Sequence, residues 1–261
     1  MVKQLLPRIP QTHPWREDVH YLEQTDSTND RAKALAREGA PHGTVVIAGH
    51  QTAGKGRLGR SFHSPGSDGL YISFLLRFPC GAEELMHLTC AAAVAACEAV
   101  EKASGLRPGI KWTNDLVIGS KKLGGILTEL ITQPDSTCAI IGIGINCLQR
   151  DFPPEIADMA CSLATAGAED ISPASVAAAL IESMEQIYRQ LFTDRAGIMD
   201  RYRADCITVG KTISILQGAT VTHALATGID ETGGLTVRYE DGRTDTVRYG
   251  EVSIRGMYGY V

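Results

Sequence analysis

The chain has 261 residues, 44% hydrophobic and 21% charged, with 27 glycines and a formal charge of −5 at pH 7. That length admits one large domain or a medium domain with a small partner, and the composition excludes wholesale disorder and a collagen-like repeat. The 30 acidic against 25 basic residues argue against a general nucleic-acid binder, whose affinity comes from clustered Lys and Arg.

Residues 1–20 read as a short leader without a helix-turn-helix, and they hold no apolar core of signal-peptide length. Ser27 suits a helix N-cap, with Asp30 completing a capping box and Gly39 ending the helix. Thr44 to Ala48 is a buried strand, and residues 54–69 a long glycine-rich polar loop. Leu70, Ile72, Phe74, Leu76 and Phe78 alternate onto one face of a strand. Ala82 to Ser104 reads as one helix. Its most apolar run, Leu88 to Cys97, is too short to cross a membrane, so no membrane association is expected. Strand pieces follow at Ile110–Trp112 and Asp115–Ile118, then strands over Leu123–Leu130 and Ala139–Ile145, with a turn at Gln133-Pro134-Asp135 between them. Ser172-Pro173 opens a helix to about Phe192, and another runs to about Ala204. From Ile207 onward the texture changes to short strands (Thr212–Leu216, Val221–Ala226, Leu235–Arg238, Thr244–Arg248) between Gly and Asp turns. That spacing suits a small SH3-like β-barrel. The reading is α+β: a mixed β-sheet domain with helices over 1–206 and a β-barrel domain over 207–261. The seven scattered cysteines contain no CxxC pair and read as reduced thiols of a cytoplasmic protein. No HxxxH or HxH spacing points to zinc.

The chemistry concentrates in the run from Gln51 through Gly54-Lys55-Gly56-Arg57-Leu58-Gly59-Arg60. Gly49-x4-Gly54-Lys55 begins like a P-loop, but Gly56 stands where a Ser or Thr hydroxyl should meet Mg2+. Gly54-x-Gly56-x-x-Gly59 matches the dinucleotide fingerprint, yet a turn and a strand follow it instead of a helix. No HRD or DFG sequence supports a kinase loop. What survives is physical: glycines let the backbone approach an anion while Lys55, Arg57 and Arg60 supply charge. The bland alternative is a solvated basic loop. A second cluster, Lys111-Trp112-Thr113-Asn114-Asp115 with Lys121-Lys122-Leu123-Gly124-Gly125-Ile126, sets a lysine before a Gly-Gly strand. That lysine can neutralise a carboxylate and steady a pentavalent phosphorus. Asn114 and Asp115 carry oxygens suited to Mg2+, although an ordinary turn explains them equally well.

Taken together, these blocks resemble the biotin–protein ligases. The likeness extends from Asp26-Ser27-Thr28-Asn29 through both clusters and Gly142-Ile143-Gly144-Ile145-Asn146 to Gly250-Glu251-Val252-Ser253-Ile254-Arg255. The resemblance implies a class II synthetase-like, biotinyl/lipoyl ligase fold with a C-terminal barrel. It implies two steps with ATP, biotin and Mg2+: formation of biotinyl-5′-AMP, then transfer of biotin to a lysine of a biotin carboxyl carrier protein. By matched position, Ser27, Thr28, Asn29, Gln51, Gly54, Lys55, Gly56, Arg57, Lys122, Gly125 and Gly142 fall to biotin. Arg57, Arg60, Phe62, Asn114, Lys122 and Asn146 fall to ATP or the adenylate, and Asp115 to Mg2+. Lys122 and Arg57 are the implied catalytic cations, and Gly125 and Gly142 the positions that keep side chains off the biotin pocket. Departures are Lys55 for a frequent Arg, Leu58 for a further cation in some members, Thr113 for Pro and Phe62 for Trp. Only about 20 residues precede the catalytic block, too few for a winged helix, so no DNA binding is expected. The chain is expected as a monomer or homodimer. Self-repulsion among Lys55, Arg57 and Arg60 predicts a loop that stays mobile until an adenylate neutralises it. The competing functions are lipoate ligase or octanoyltransferase chemistry, and a non-catalytic biotin-binding regulator.

Overall fold

The computed structural model describes residues 1–64, 66–133, 136–217, 220–248 and 251–254. The α-helices among the described residues are α1 (Val2–Leu5), α2 (Thr28–Arg37), α3 (Leu88–Ser104), α4 (Pro173–Gln190) and α5 (Arg195–Asp205). The first seven strands are β1 (Val19–Thr25), β2 (Thr44–Gln51), β3 (Gly69–Phe78), β4 (Gly109–Lys111), β5 (Asp115–Ile118), β6 (Lys121–Gln133) and β7 (Ser136–Asn146). They form one mixed sheet in the order β1-β2-β3-β7-β6-β5-β4, in which β1 and β2 run parallel and the other neighbours antiparallel. Strands β8 (Thr212–Gln217), β9 (Thr220–Ile229), β10 (Leu235–Arg238), β11 (Thr244–Val247) and β12 (Glu251–Ile254) form an antiparallel sheet, ordered β11-β10-β9-β8-β12. Among the described residues, no helix is long and apolar enough to cross a membrane. All seven cysteines are free thiols. The expected turn residues Pro134 and Asp135, and the motif residues Gly250 and Arg255, lie outside the described residues.

The central sheet has two different faces because β3 and β7 carry two different side-chain series. Leu70, Ile72, Phe74, Leu76 and Phe78 of β3, with Ile141, Ile143 and Ile145 of β7, join a large core under α3 and α4. The alternate series reaches the opposite face. There Leu75, Cys138 and Ile140 pack with Ala32 and Leu35 of α2. Farther along, the same face carries Tyr71, Ser73, Gly142 and Gly144. In register, Tyr71 opposes Gly144, which opposes Gly125; Ser73 opposes Gly142, which opposes Leu127. Helix α2 covers one end of this face, and the small residues leave a depression at the other.

Two elements depart from the sequence reading. The supposed leader, residues 1–20, carries α1 and two 3-10 turns and runs into β1 (Val19–Thr25), a half-buried strand joined through α2 to its parallel neighbour. The expected helix from Ala82 is a 3-10 turn over Ala82–Leu85 followed by α3 from Leu88. Leu85, His87 and Leu88 are all buried, and one straight helix would splay these positions around its circumference.

Candidate active site

The depression opens into a cleft of about 980 Å3, counting its mouth. Its walls come from the first turn of α2, the glycine loop, the β4–β5 turn and the glycine-bearing stretches of β6 and β7. Five cationic side chains, Lys55, Arg57, Arg60, Lys111 and Lys122, face it with one carboxylate, Asp115. Such a cleft attracts an anion, and its partial shielding from solvent strengthens each charge relative to water.

The loop approaches from one side. Gly56 N donates to Arg60 O at 2.7 Å and Phe62 N to Gly54 O at 2.8 Å, making a small hairpin. Lys55 Nζ lies 2.6 Å from Asp30 Oδ2, and Arg57 Nη1 donates to Asn114 Oδ1 at 2.9 Å. These partners offset the self-repulsion from which a mobile loop was expected. Leu58 takes a left-handed backbone (φ 56°, ψ 34°) and stands exposed at the tip.

On the other side, Lys122 Nζ meets Asp115 Oδ1 at 2.6 Å. Asn114 is fixed in turn: its Nδ2 donates to Ile126 O at 2.8 Å, and its O accepts from Ile126 N at 2.9 Å. Two adjacent residues of one turn therefore hold two cations from separate segments, Arg57 through Asn114 and Lys122 through Asp115. Asp115 was expected as a Mg2+ ligand, but its Oδ1 faces a lysine ammonium, which competes with a metal for that oxygen. Among the described residues, no group of three His, Cys, Asp or Glu forms a metal cage. The side chains present do not fit a resident metal site.

The floor is a hydrogen-bonded set. Gln51 Oε1 accepts from Thr28 N (2.8 Å) and Thr28 Oγ1 (3.1 Å), while its Nε2 donates to Ser64 Oγ. Ser73 Oγ lies within 2.8 Å of Thr28 Oγ1 and 2.7 Å of Asn29 Oδ1. Asn29 Nδ2 donates to Glu129 Oε2 at 2.8 Å. The Asn29 carboxamide fills the space a side chain at Gly142 would need, and the Phe62 ring fills that at Gly144, where a Cβ would come within 2.6 Å. Gly142 was expected to clear room for ligand; it makes room for Asn29.

Of the residues singled out from sequence, Ser27, Thr28, Asn29, Gln51, Lys55, Gly56, Arg57, Arg60, Phe62, Asn114, Asp115, Lys122, Gly125 and Gly142 all line this cleft. Gly54 and Asn146 do not. Gly54 accepts the hairpin bond from Phe62, and Asn146 Nδ2 donates to Cys161 O at 2.9 Å. The sequence reading missed Tyr71 and gave Lys111, named in the second cluster, no role; both also face the cleft. Burial pushes the Tyr71 phenol far up, so it stays protonated, and Gln149 Nε2 donates to it at 3.4 Å.

Comparison with known proteins places this geometry in context. Residues 21–146 match the Biotin/lipoate A/B protein ligase family, and residues 208–255 the Biotin protein ligase C terminal domain. The chain is 36% identical over 226 residues to the Bifunctional ligase/repressor BirA of Bacillus spizizenii, covering 85% of this chain and 70% of that protein. It is 32% identical over 244 residues to the Biotin–[acetyl-CoA-carboxylase] ligase of Mycobacterium tuberculosis, covering 91% and 89%. Among solved structures, the biotin protein ligase from Aquifex aeolicus in complex with biotin and ATP superposes with a TM-score of 0.75. It shares 29% identity, over 91% of this chain and 98% of that one.

Proposed function

Because the chain belongs to the biotin protein ligase family, we propose that it activates biotin as biotinyl-5′-AMP in the Lys122 cleft and passes the acyl group to a carrier lysine. It is an ATP-dependent, AMP-forming biotin–[acetyl-CoA-carboxylase] ligase. In the first step a biotin carboxylate oxygen attacks the α-phosphorus of MgATP; an O–P bond forms, the bond to the bridging oxygen breaks, and pyrophosphate leaves. In the second, the uncharged amine of a lysine on a biotin carboxyl carrier protein attacks the acyl carbon, and AMP leaves. Mg2+ enters with ATP as part of that substrate.

The observation that carries this reading is the convergence of Lys122 and Arg57 on one cleft, each held by its own neighbour in the Asn114-Asp115 turn. Charge on the α-phosphoryl oxygens grows in the first transition state, and preorganised cations stabilise it without reorganisation. Lys122 lies between the carboxylate and the α-phosphate, and Arg57 binds phosphate. Thr28, Gln51 and Asn29 present the polar groups that a ureido ring requires, with Ser27 beside them. Arg60 and Phe62 belong to the nucleotide end, where the ring covers the adenine. Residues 1–206 form the catalytic domain and 207–261 an accessory domain.

The test mixes the full chain with MgATP, biotin and a biotin carboxyl carrier domain, then probes the carrier with streptavidin. Labelling that requires ATP is expected. Pyrophosphate release stimulated by lipoate but not by biotin would reassign the enzyme, and biotin binding without labelling would make it a regulator.

A further inference from the structure

Asp30 stands on the first turn of α2, behind the cleft, and no step above uses it. Its Oδ2 is 2.6 Å from Lys55 Nζ in the glycine loop, and its Oδ1 is 3.1 Å from Lys33 Nζ. Lys33 Nζ lies 2.8 Å from Glu129 Oε1 on β6, and the other oxygen of Glu129 accepts from Asn29. Two carboxylates and two ammonium groups therefore alternate in a row from the loop, through α2, to the sheet. Partial burial pushes the Asp30 carboxyl up, but the bonds from Lys55 and Lys33 outweigh it and hold it below the usual range. Burial would lower Lys33, yet Glu129 and Asp30 outweigh it and raise it. Asp30 and Lys33, the two inner groups on α2, thus stay charged at neutral pH. The inner members are well anchored. Lys55 is the outer member, its side chain 46% exposed, and it belongs to the segment that overhangs the cleft.

We propose that Asp30 is a positioning residue that acts through Lys55, clasping the loop of residues 54–61 over the cleft and setting how long a bound acyl-adenylate is retained. The retention half rests on the ligase reading above; the clasp itself does not. Neutralising Asp30 leaves Lys33 with Glu129, so α2 keeps its tie to the sheet. Only the loop loses a partner, and Lys55 is then left beside Arg57 and Arg60.

The experiment compares the full-length wild type with Asp30→Asn, Lys55→Met and the double variant. The first readout is release of preformed radiolabelled biotinyl-5′-AMP into excess unlabelled compound. The second is ligand-free hydrogen exchange at the Gly56 and Phe62 amides, which close the loop hairpin. A partly exposed ion pair of this kind predicts about two- to fivefold faster release and faster loop exchange in Asp30→Asn. The rate of pyrophosphate formation at saturating biotin and MgATP should change much less. The double variant should release no faster than the single ones. Wild-type release and exchange in Asp30→Asn, or effects that simply multiply in the double variant, would overturn the clasp. If Asp30→Asn does not fold, Lys55→Met removes the same link from its exposed end; because Lys55 also faces the cleft, ligand-free exchange at Gly56 and Phe62 alone then decides, and wild-type exchange overturns the clasp. If the wild type makes no biotinyl-5′-AMP, the ligase reading fails, and ligand-free exchange still judges the clasp.

Discussion

At the scale of single residues, the site depends on side chains that hold other side chains. Lys122 Nζ would roam on a flexible stem without Asp115, and a misplaced cation stabilises developing phosphoryl charge poorly. Lys122→Ala should lower biotin-dependent pyrophosphate release by at least about 100-fold, in line with losing one preorganised electrostatic group. The pair is partly exposed, so the melting temperature should move little; near-normal release from that variant would remove Lys122 from the chemistry. Gly142→Ala tests the floor. Its methyl group would displace the Asn29 carboxamide, which is bonded to Glu129 and near Ser73. A cost of about 1–3 kcal/mol in urea unfolding is expected from such overpacking, with weakened biotin binding by titration calorimetry. Wild-type values for both would mean that Asn29 does not need its present place. These residues were legible to different degrees. Lys122 and Arg57 stand in recognisable blocks, whereas Tyr71 was hidden by the alternation that flagged its strand. Once Leu70, Ile72 and Phe74 are assigned to the core, Tyr71 and Ser73 must face the other way, and two polar groups in that phase are the missed signal. Gly142 could not be understood from sequence, because its partner Asn29 lies far away along the chain.

At the scale of elements, two serine N-caps look alike in sequence and differ in the structure. Ser172 accepts from Ser175 N and shares a reciprocal capping box with it, with Pro173 in the first turn of α4. Ser27 precedes α2 in extended conformation but makes no side-chain capping bond. It is only 2% exposed and lines the cleft. The expected capping box with Asp30 is absent because that carboxylate is turned to Lys33 and Lys55. Ser172→Ala should therefore cost about 1 kcal/mol of unfolding free energy. Ser27→Ala should cost clearly less while weakening biotin binding. Equal destabilisation in chemical denaturation would show that Ser27 caps α2 after all. The other elements were read best where burial imposes a period. β3, β7 and α4 carry unbroken apolar series, and their positions were plain to within a few residues. β1 was missed because it is an edge strand whose exposed positions, His20, Glu23 and Gln24, break the alternation. Its place is set by pairing with β2, a tertiary fact.

At the scale of the whole molecule, one continuous core runs from Leu5 to Val247 and joins the two sheets. Trp112 carries part of that union: its Nε1 donates to Gly233 O at 2.8 Å, and its backbone N to Thr208 Oγ1 at 2.9 Å. A core this extensive takes in polar groups at some cost. His87, just before α3, is 2% exposed, and neither ring nitrogen has a hydrogen-bond partner among the described residues. Burial, with the Arg195 charge adding to it, pushes its pKa from 6.5 down to about 4. Burial also lowers His42 and His13. The unfolded chain takes up these protons near pH 6.5, whereas folded His87 refuses its proton until about pH 4. Acid therefore favours the unfolded chain across that interval: stability is intact above about pH 6.5 and declines below it. For His87 alone, the loss between pH 7 and pH 5 amounts to about 2 kcal/mol. Carboxylates held low by their partners, such as Asp30 and Asp230, contribute mainly below this interval because they titrate at more acid pH. Urea unfolding of the wild type at the two pH values should show the decline. His87→Leu, which carries no proton and suits apolar surroundings, should flatten most of it. A variant that keeps the full slope would place the proton uptake elsewhere, with His42 the next group to substitute.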